Sequence, residues 1–285
     1  MVKFIAEVSS NHSRDIERCY RFIEASAQAG CEAVKFQLFR IDQLFAPEIL
    51  AKSETHRRRR QWELPLEFLP LLAQRSRDCG IEFSCTPFYL EAVAELEPHV
   101  DFYKIASYEL LWDELLAACA ATGKPVVLST GMATMDEILH AVDVLKRNGC
   151  AAPTLLHCTS AYPTPYQDAN LAAIDTLRQA TGCEVGWSDH TVEPGVIHRA
   201  IHRYDARVVE FHIDLDRQGE EYAAGHCWLP EQIGRVITDV AHALGADGDG
   251  VKAPVPSELP DRLWRADPSD GLRPFKVLRQ TWQPA

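Results

Sequence analysis

Eight short apolar runs recur along the chain, and each ends in a polar residue or a small polar cluster. FIAEV ends at Glu7, AVKFQ carries Lys35 and Gln37, IEFSCTPF carries Thr86, and DFYKIAS carries Lys104 and Ser107. PVVLSTG supplies Ser129 and Thr130, and TLLHCTSAYPTP supplies His157 and Tyr162. VGWSDHT supplies Ser188, Asp189 and His190, and RVVEFHID supplies Glu210 and His212. The runs read as buried strands near 3–8, 33–38, 81–85, 102–106, 125–129, 154–158, 184–187 and 207–212. Helical periodicity fills the intervals near 15–29, 65–79, 89–97, 112–122, 134–148, 170–181, 193–203 and 230–244. Regular strand–helix alternation implies a parallel sheet. Eight units without a break favour an α/β chain closed into a (β/α)8 TIM barrel over an open doubly wound sheet. No glycine-rich fingerprint follows the first strand, which disfavours a dinucleotide fold.

A barrel of this type takes ~250 residues, so one barrel would use nearly all of the 285 residues. The expected division is a barrel domain over 1–245 and a short C-terminal extension, 246–285, packed on it and ending in a short helix near Leu272–Trp282. Ser13 or Asp15 is placed to cap the first helix, and Thr134 with Glu137 forms a capping box. Gly30, Gly80, Gly123 and Gly149 each follow a helical run. Residues 40–64 fall outside the repeat and read as a long loop carrying His56 and the run Arg57 to Arg60.

The net charge of −12 argues against a nucleic-acid partner. No apolar stretch approaches the ~20 residues that span a bilayer. MVKFIAEV runs directly into a strand without signal-peptide architecture, so a cytoplasmic protein is expected. The nine cysteines contain no C-x-x-C pair and read as reduced, mostly buried thiols.

In such a barrel the active site lies at the C-terminal ends of the strands, where all the polar residues above fall. Side chains two apart on a strand point the same way, which pairs Lys35 with Gln37 and Glu210 with His212. Buried lysines and acids cost several kcal/mol unless something pairs with them. A multiply charged ligand and a metal ion would meet that demand. His190 and His212 come from adjacent strands and suit a first-row divalent ion, with Glu210 or Asp189 as a further ligand or supporting partner. The alternative is two histidines hydrogen-bonded in the core. Lys35, Lys104, Ser107, Ser129 and Ser188 can grip a phosphate and a carboxylate at once. Glu7 is a lone carboxylate between Ala6 and Val8. The arginine run either binds an anion or is a solvated face, and Tyr162 either lines a pocket or braces its loop.

The stretches IAEVSSNH, AVKFQLF, SCTPF, YKIASYEL, GKPVVLSTGMAT, LLHCTSAYPTPY, GWSDHT and EFHID keep this order over roughly residues 3–245. Together they resemble the barrel domain of the sialic acid synthases, the N-acetylneuraminate synthase family. The resemblance implies a metal-dependent condensation of phosphoenolpyruvate with an aldehyde sugar. The product would be a 3-deoxy-2-ulosonic acid, with phosphate released by C–O cleavage. It implies Mn2+, with Mg2+ or Co2+ as alternatives, on His190 and His212. It places Lys104, Ser107, Ser129 and Ser188 at the phosphate, Lys35 and Thr86 at the carboxylate, and Glu7 at the proton of the attacking water. Glu210, Gln37, Asp189 and Tyr162 match site-lining positions. The expected catalytic set is therefore Glu7, Lys35, Lys104 and Glu210. Gln37, Thr86, Ser107, Glu109, Ser129, Tyr162, Ser188, Asp189 and Glu221 are expected to bind substrate. Members pair as dimers, so a homo-oligomer is expected.

The departures lie on the acceptor side. Typical members carry a C-terminal antifreeze-like domain that this sequence does not show. Many read G-P-D after the eighth strand, where this chain has RQGEEYAAGHCWLP, and an ungapped match puts Ala223 at the aspartate. Tyr108 replaces a usual glycine, and NHSRD replaces NHNGD. These changes suggest an acceptor other than N-acetylmannosamine, held partly by Glu220, Glu221, His226 or the arginine loop. Two other readings stay open: a metal-dependent aldolase or lyase on the same barrel, and a non-catalytic ligand-binding homologue.

Overall fold

Successive strands run parallel, each beside its neighbour in sequence. In the computed structural model, which describes residues 2–283, they are β1 (Lys3–Glu7), β2 (Ala33–Leu38), β3 (Glu82–Pro87), β4 (Phe102–Ile105), β5 (Val126–Ser129), β6 (Thr154–His157), β7 (Glu184–Asp189) and β8 (Val208–Ile213). β8 pairs back onto β1, from Lys3 opposite Val208 to Glu7 opposite His212. The sheet thus closes into the expected eight-stranded (β/α)8 barrel.

Strand parity sorts the side chains. Ile5, Ala33, Phe102, Val127, Leu156 and Val208 form one buried apolar cluster. Each precedes an inward-facing position higher on its strand: Glu7, Lys35, Lys104 and Ser129 follow four of them by two residues, and Glu210 follows Val208. The barrel is therefore apolar at its floor and polar at its C-terminal mouth. The opposite parity, such as Phe4, Ala6, Val34 and Phe36, joins the larger core beneath the helices. Gly186 is at floor level on β7, where a Cβ would collide with the Val208 carbonyl and come within 2.8 Å of Leu156.

The register levels the strand ends. Glu7 is opposite Lys35 and His212, Gln37 is opposite Thr86, and Ser188 is opposite Glu210. The helices hold this arrangement from outside. Asp15 caps helix Ile16–Ala29 by accepting from the Glu17 backbone N–H, and Thr134 with Glu137 forms the capping box of helix Met135–Arg147.

Two segments differ from the sequence reading. Residues 40–64 are not an open loop but carry three short helices, Ile41–Leu44, Pro47–Lys52 and Glu54–Arg58, and a 3-10 turn, Arg59–Trp62. Pro47 starts one and the Ser53 side chain caps the next. After β8, a short helix (Glu220–Ala224) leads into a two-residue strand, β9 (Cys227–Trp228), parallel to the end of β8.

Met1–Ala241 and His242–Ala285 form separate compact units, with the division inside helix Pro230–Gly245. The second unit holds 3-10 turns at Pro256–Glu258 and Arg262–Trp264 and a helix over Lys276–Arg279, which ion-pairs to Asp270 through Arg279. Among the described residues no helix is long and apolar enough to cross a membrane, and all nine cysteines are free.

Candidate active site

The barrel mouth opens into a cavity of about 730 Å³. At its base are four buried charges. Lys35 ion-pairs with Glu7 and lies 4.0 Å from Glu210, while Lys104 lies 3.7 Å from the other Glu210 oxygen. Gln37 donates to Glu7 at 2.7 Å and Ser188 to Glu210 at 3.3 Å. The two lysines are not equivalent. Burial pulls Lys35 down, but Glu210 and Glu7 outweigh it and hold the ammonium above its ordinary value. Burial also pulls Lys104 down, and Glu210 only partly offsets it, so Lys104 stays below its ordinary value. Lys104 is thus a buried cation with less anionic charge around it than it requires.

Hydroxyls line the same end of the cavity. Ser107 Oγ accepts from the Gly131 backbone N–H at 3.0 Å and lies 3.3 Å from Cys158 Sγ. A Cβ on Gly131 would collide with Ser160 Oγ and sit 2.9 Å from Ser107 Oγ, so a larger residue would push these hydroxyls away. Ser129 and Ser188 complete the hydroxyl set in the lining.

The histidine end is built by β7 and β8. His190 donates from Nδ1 to the Thr159 carbonyl at 2.8 Å, which leaves Nε2 with its lone pair. His212 Nδ1 is 2.8 Å from Glu221 Oε2. Glu221 also accepts from Ser9 at 2.5 Å and Ser10 at 3.0 Å. Against the pull of burial, His212, His226 and Ser9 hold the Glu221 carboxyl well below the usual carboxylate range. Tyr162 packs on His190 with ring centroids 4.3 Å apart, so it both lines the cavity and braces a histidine.

The chain and its fold resemble known proteins. The NeuB family profile matches residues 22–252. The chain belongs to the NeuB family. It is 38% identical over 258 residues to an uncharacterised protein of Methanocaldococcus jannaschii, spanning 89% of this chain and 74% of that protein. It is 35% identical over 269 residues to the N,N'-diacetyllegionaminic acid synthase of Campylobacter jejuni, spanning 89% of this chain and 80% of the synthase. The crystal structure of the N-acetylneuraminic acid synthetase of Leptospira borgpetersenii superposes with a TM-score of 0.80 at 31% identity, covering 91% of this chain and 90% of that one.

In this NeuB-family barrel the expected site residues line the cavity, with two exceptions. Thr86 is fully buried and accepts from Lys35 at 3.2 Å. Asp189 is also fully buried, and it is turned away from the cavity: it accepts from Trp187 Nε1, Thr191 N and Oγ1, Val192 N and Trp228 Nε1. Its position opposes a substrate-binding role. Glu221, expected at the acceptor, has its oxygens engaged by Ser9, Ser10 and His212.

The donor set fits a divalent ion. Two imidazoles joined through nitrogen to one ion have centroids about 5 Å apart, and those of His190 and His212 are 5.4 Å apart. Each ring is oriented through Nδ1 by an oxygen, the supporting contact usual for metal-bound imidazole.

The outer wall was not legible from sequence. It is apolar and includes Phe39, Phe45, Trp62 and Phe88. The arginine run resolves residue by residue. Arg57 and Arg58 pair with Glu54, Arg60 pairs with Asp42, and Arg59 lines the cavity. Arg59 has no carboxylate partner among the described residues and lies over the rings of Phe45 and Trp62 at 5.6 and 5.7 Å.

Burial lifts the Glu109 carboxyl to about 8 against the pull of Lys104. Glu109 is then a neutral donor at pH 7. Because its folded value exceeds the unfolded one, the folded state retains a proton that the unfolded state has lost, and stability falls as pH rises between the two values. Relative to Glu109→Gln, the natural protein should therefore lose unfolding free energy from about pH 4.5 to about pH 8 and level off above it. Denaturant titrations across that range check this, and a constant gap would mean that Glu109 titrates normally.

Proposed function

We propose that this NeuB-family chain is a synthase that condenses phosphoenolpyruvate with an aldehyde sugar, giving a 3-deoxy-2-ulosonic acid and inorganic phosphate. The observation that carries this reading is Lys104. It is buried, under-compensated and in the same cavity as the hydroxyls of Ser107, Ser129 and Ser188. A phosphate would complete its charge balance and occupy those donors. Lys35, tied to Glu7 and close to Glu210 and Thr86, faces the carboxylate end of the same small molecule.

C3 of phosphoenolpyruvate forms a bond to the aldehyde carbon with the C2=C3 electron pair, and the former aldehyde oxygen takes up a proton. Water adds at C2, and the C2–O bond to phosphate then breaks with its electron pair on phosphate as the new C2 hydroxyl loses its proton and becomes the ketone. Glu7 takes the proton of the incoming water, a role suited to a carboxylate that Gln37 and Lys35 hold in place. Lys104 and the serines offset charge on the leaving phosphate. His190 and His212 would hold the divalent ion, Mn2+ by resemblance, which when bound supplies Lewis-acid charge for the aldehyde oxygen.

The deciding experiment is phosphate release from phosphoenolpyruvate with Mn2+ and a panel of aldoses, N-acetylhexosamines and their phosphates, with products weighed by mass spectrometry. Aldehyde-dependent release with a product larger by the pyruvyl unit supports the synthase. Cleavage or condensation that needs no phosphoenolpyruvate would replace it with an aldolase or lyase.

Arg59 and the aromatic wall belong to the acceptor end in this reading. Arg59→Ala should raise the acceptor KM about tenfold, the loss of one charge-assisted contact, and leave the KM for phosphoenolpyruvate unchanged. A change in the phosphoenolpyruvate KM alone would move Arg59 to the other substrate.

A further inference from the structure

The ring of His226 enters the histidine end from outside the eight-strand pattern. It follows the short helix Glu220–Ala224, where Gly225 adopts φ 95°, a left-handed conformation that favours glycine and turns the chain back. β9 then pairs with β8 so that Cys227 lies opposite His212. The result is that His226 sits beside His212, buried, with ring centroids 5.1 Å apart and planes at 76°. That separation matches the 5.4 Å between His190 and His212 and the spacing of about 5 Å for imidazoles sharing one ion. Tyr162 contacts all three rings, at 4.3, 5.9 and 5.2 Å.

One nitrogen of His226 also lacks a hydrogen-bond partner where burial demands one. Its Nδ1 is buried with none, and its Nε2 is 3.6 Å from Glu221 Oε2, too long for a good hydrogen bond. Ligand atoms of His212, Glu221, His226 and Cys227 all lie within 4.8 Å of one another. His190 lies outside that group, so a shared ion requires the ring of His190 or of His226 to turn toward the other.

We propose that His226 is a third imidazole ligand of the ion bound at His190 and His212. This deepens the reading above and rests on its assignment of the ion to that end of the cavity. Glu221 acts through His212 as a positioning residue rather than as a contact to the acceptor. Three nitrogen donors favour Co2+ or Zn2+ over Mg2+, and they leave the remaining positions to water or substrate.

The test counts imidazoles. Pulsed electron paramagnetic resonance on the full chain loaded with Cu2+ or Mn2+ reports the coordinated nitrogens, and calorimetry reports affinity for Co2+. Three imidazoles in the natural protein are expected, and two in His226→Ala and His226→Gln, with Co2+ affinity reduced at least about tenfold. Retained circular dichroism and melting temperature in either variant keep a folding defect from mimicking the loss. Two imidazoles in the natural protein, with both variants at full affinity, would overturn the proposal. Failure of the natural protein to bind any of these ions would overturn it together with the metal assignment. Three imidazoles without phosphate release on any aldehyde would leave the ligand set standing and sink the synthase reading.

Discussion

Replacing Lys104 by methionine should lower kcat/KM for aldehyde-dependent phosphate release by about a thousandfold or more, the scale of losing a preorganised charge at a developing anion. It should also cost about 3–5 kcal/mol of stability, because it breaks a buried ion pair and leaves excess negative charge behind. Lys104 and Glu210 are both nearly inaccessible to solvent. Without Lys104, the lysine left near Glu210 would be Lys35, at 4.0 Å, and Lys35 is already paired with Glu7. The two losses can be separated. In Lys104→Met/Glu210→Gln the quartet returns to one lysine and one carboxylate, Lys35 with Glu7, and neutral isosteres fill the rest. Stability should recover to within about 1–2 kcal/mol of the natural protein, while activity stays lost. Urea titration and phosphate-release assays read the two axes independently. Turnover within tenfold of normal in Lys104→Met would remove Lys104 from the phosphate site. A double variant as unstable as the single would mean that Glu210 is not the partner whose charge matters.

That quartet was legible in the sequence for a physical reason. A parallel barrel brings strand ends to one level, and alternation sends every second side chain inward. Glu7, Lys35, Lys104 and Glu210 lie inward above apolar floor residues, so motif order alone placed them together. Asp189 shows the limit of reading strand ends without parity. Ser188 faces the cavity, and the next residue on β7 must face the other way. Region 40–64 was illegible because helices of four to six residues are too short to show a hydrophobic period. The sequence sets His226 among several acceptor-side candidates for a similar reason. Its position depends on β9, whose two residues carry no alternation signal and are fixed only by pairing with β8.

Asp189→Asn should be among the most destabilising single substitutions in the barrel, costing about 3 kcal/mol or more, although it removes no atom from the cavity. One carboxylate oxygen accepts from Trp187 Nε1, Thr191 N and Thr191 Oγ1, and the other from Val192 N and Trp228 Nε1. An amide offers one acceptor and two donors. Either rotamer therefore turns an N–H group toward two or three existing donors, and hydrogen bonds to a charged group are each worth about 1.5–3 kcal/mol. The effect reaches the site through the backbone. Asp189 immediately precedes His190, and its bond to Trp228 ties the end of β7 to β9, which carries His226 into place. Thermal unfolding should show a lowered midpoint, and calorimetry at a temperature where the variant is folded should show weakened divalent-ion binding. Phosphoenolpyruvate affinity, assigned in the proposed function to Lys35 and Lys104 on the far strands, should change least. If Asp189→Asn instead left stability within about 0.5 kcal/mol and weakened only substrate binding, Asp189 would be a ligand-contacting residue and the buried five-donor arrangement would not be what holds the histidines in position.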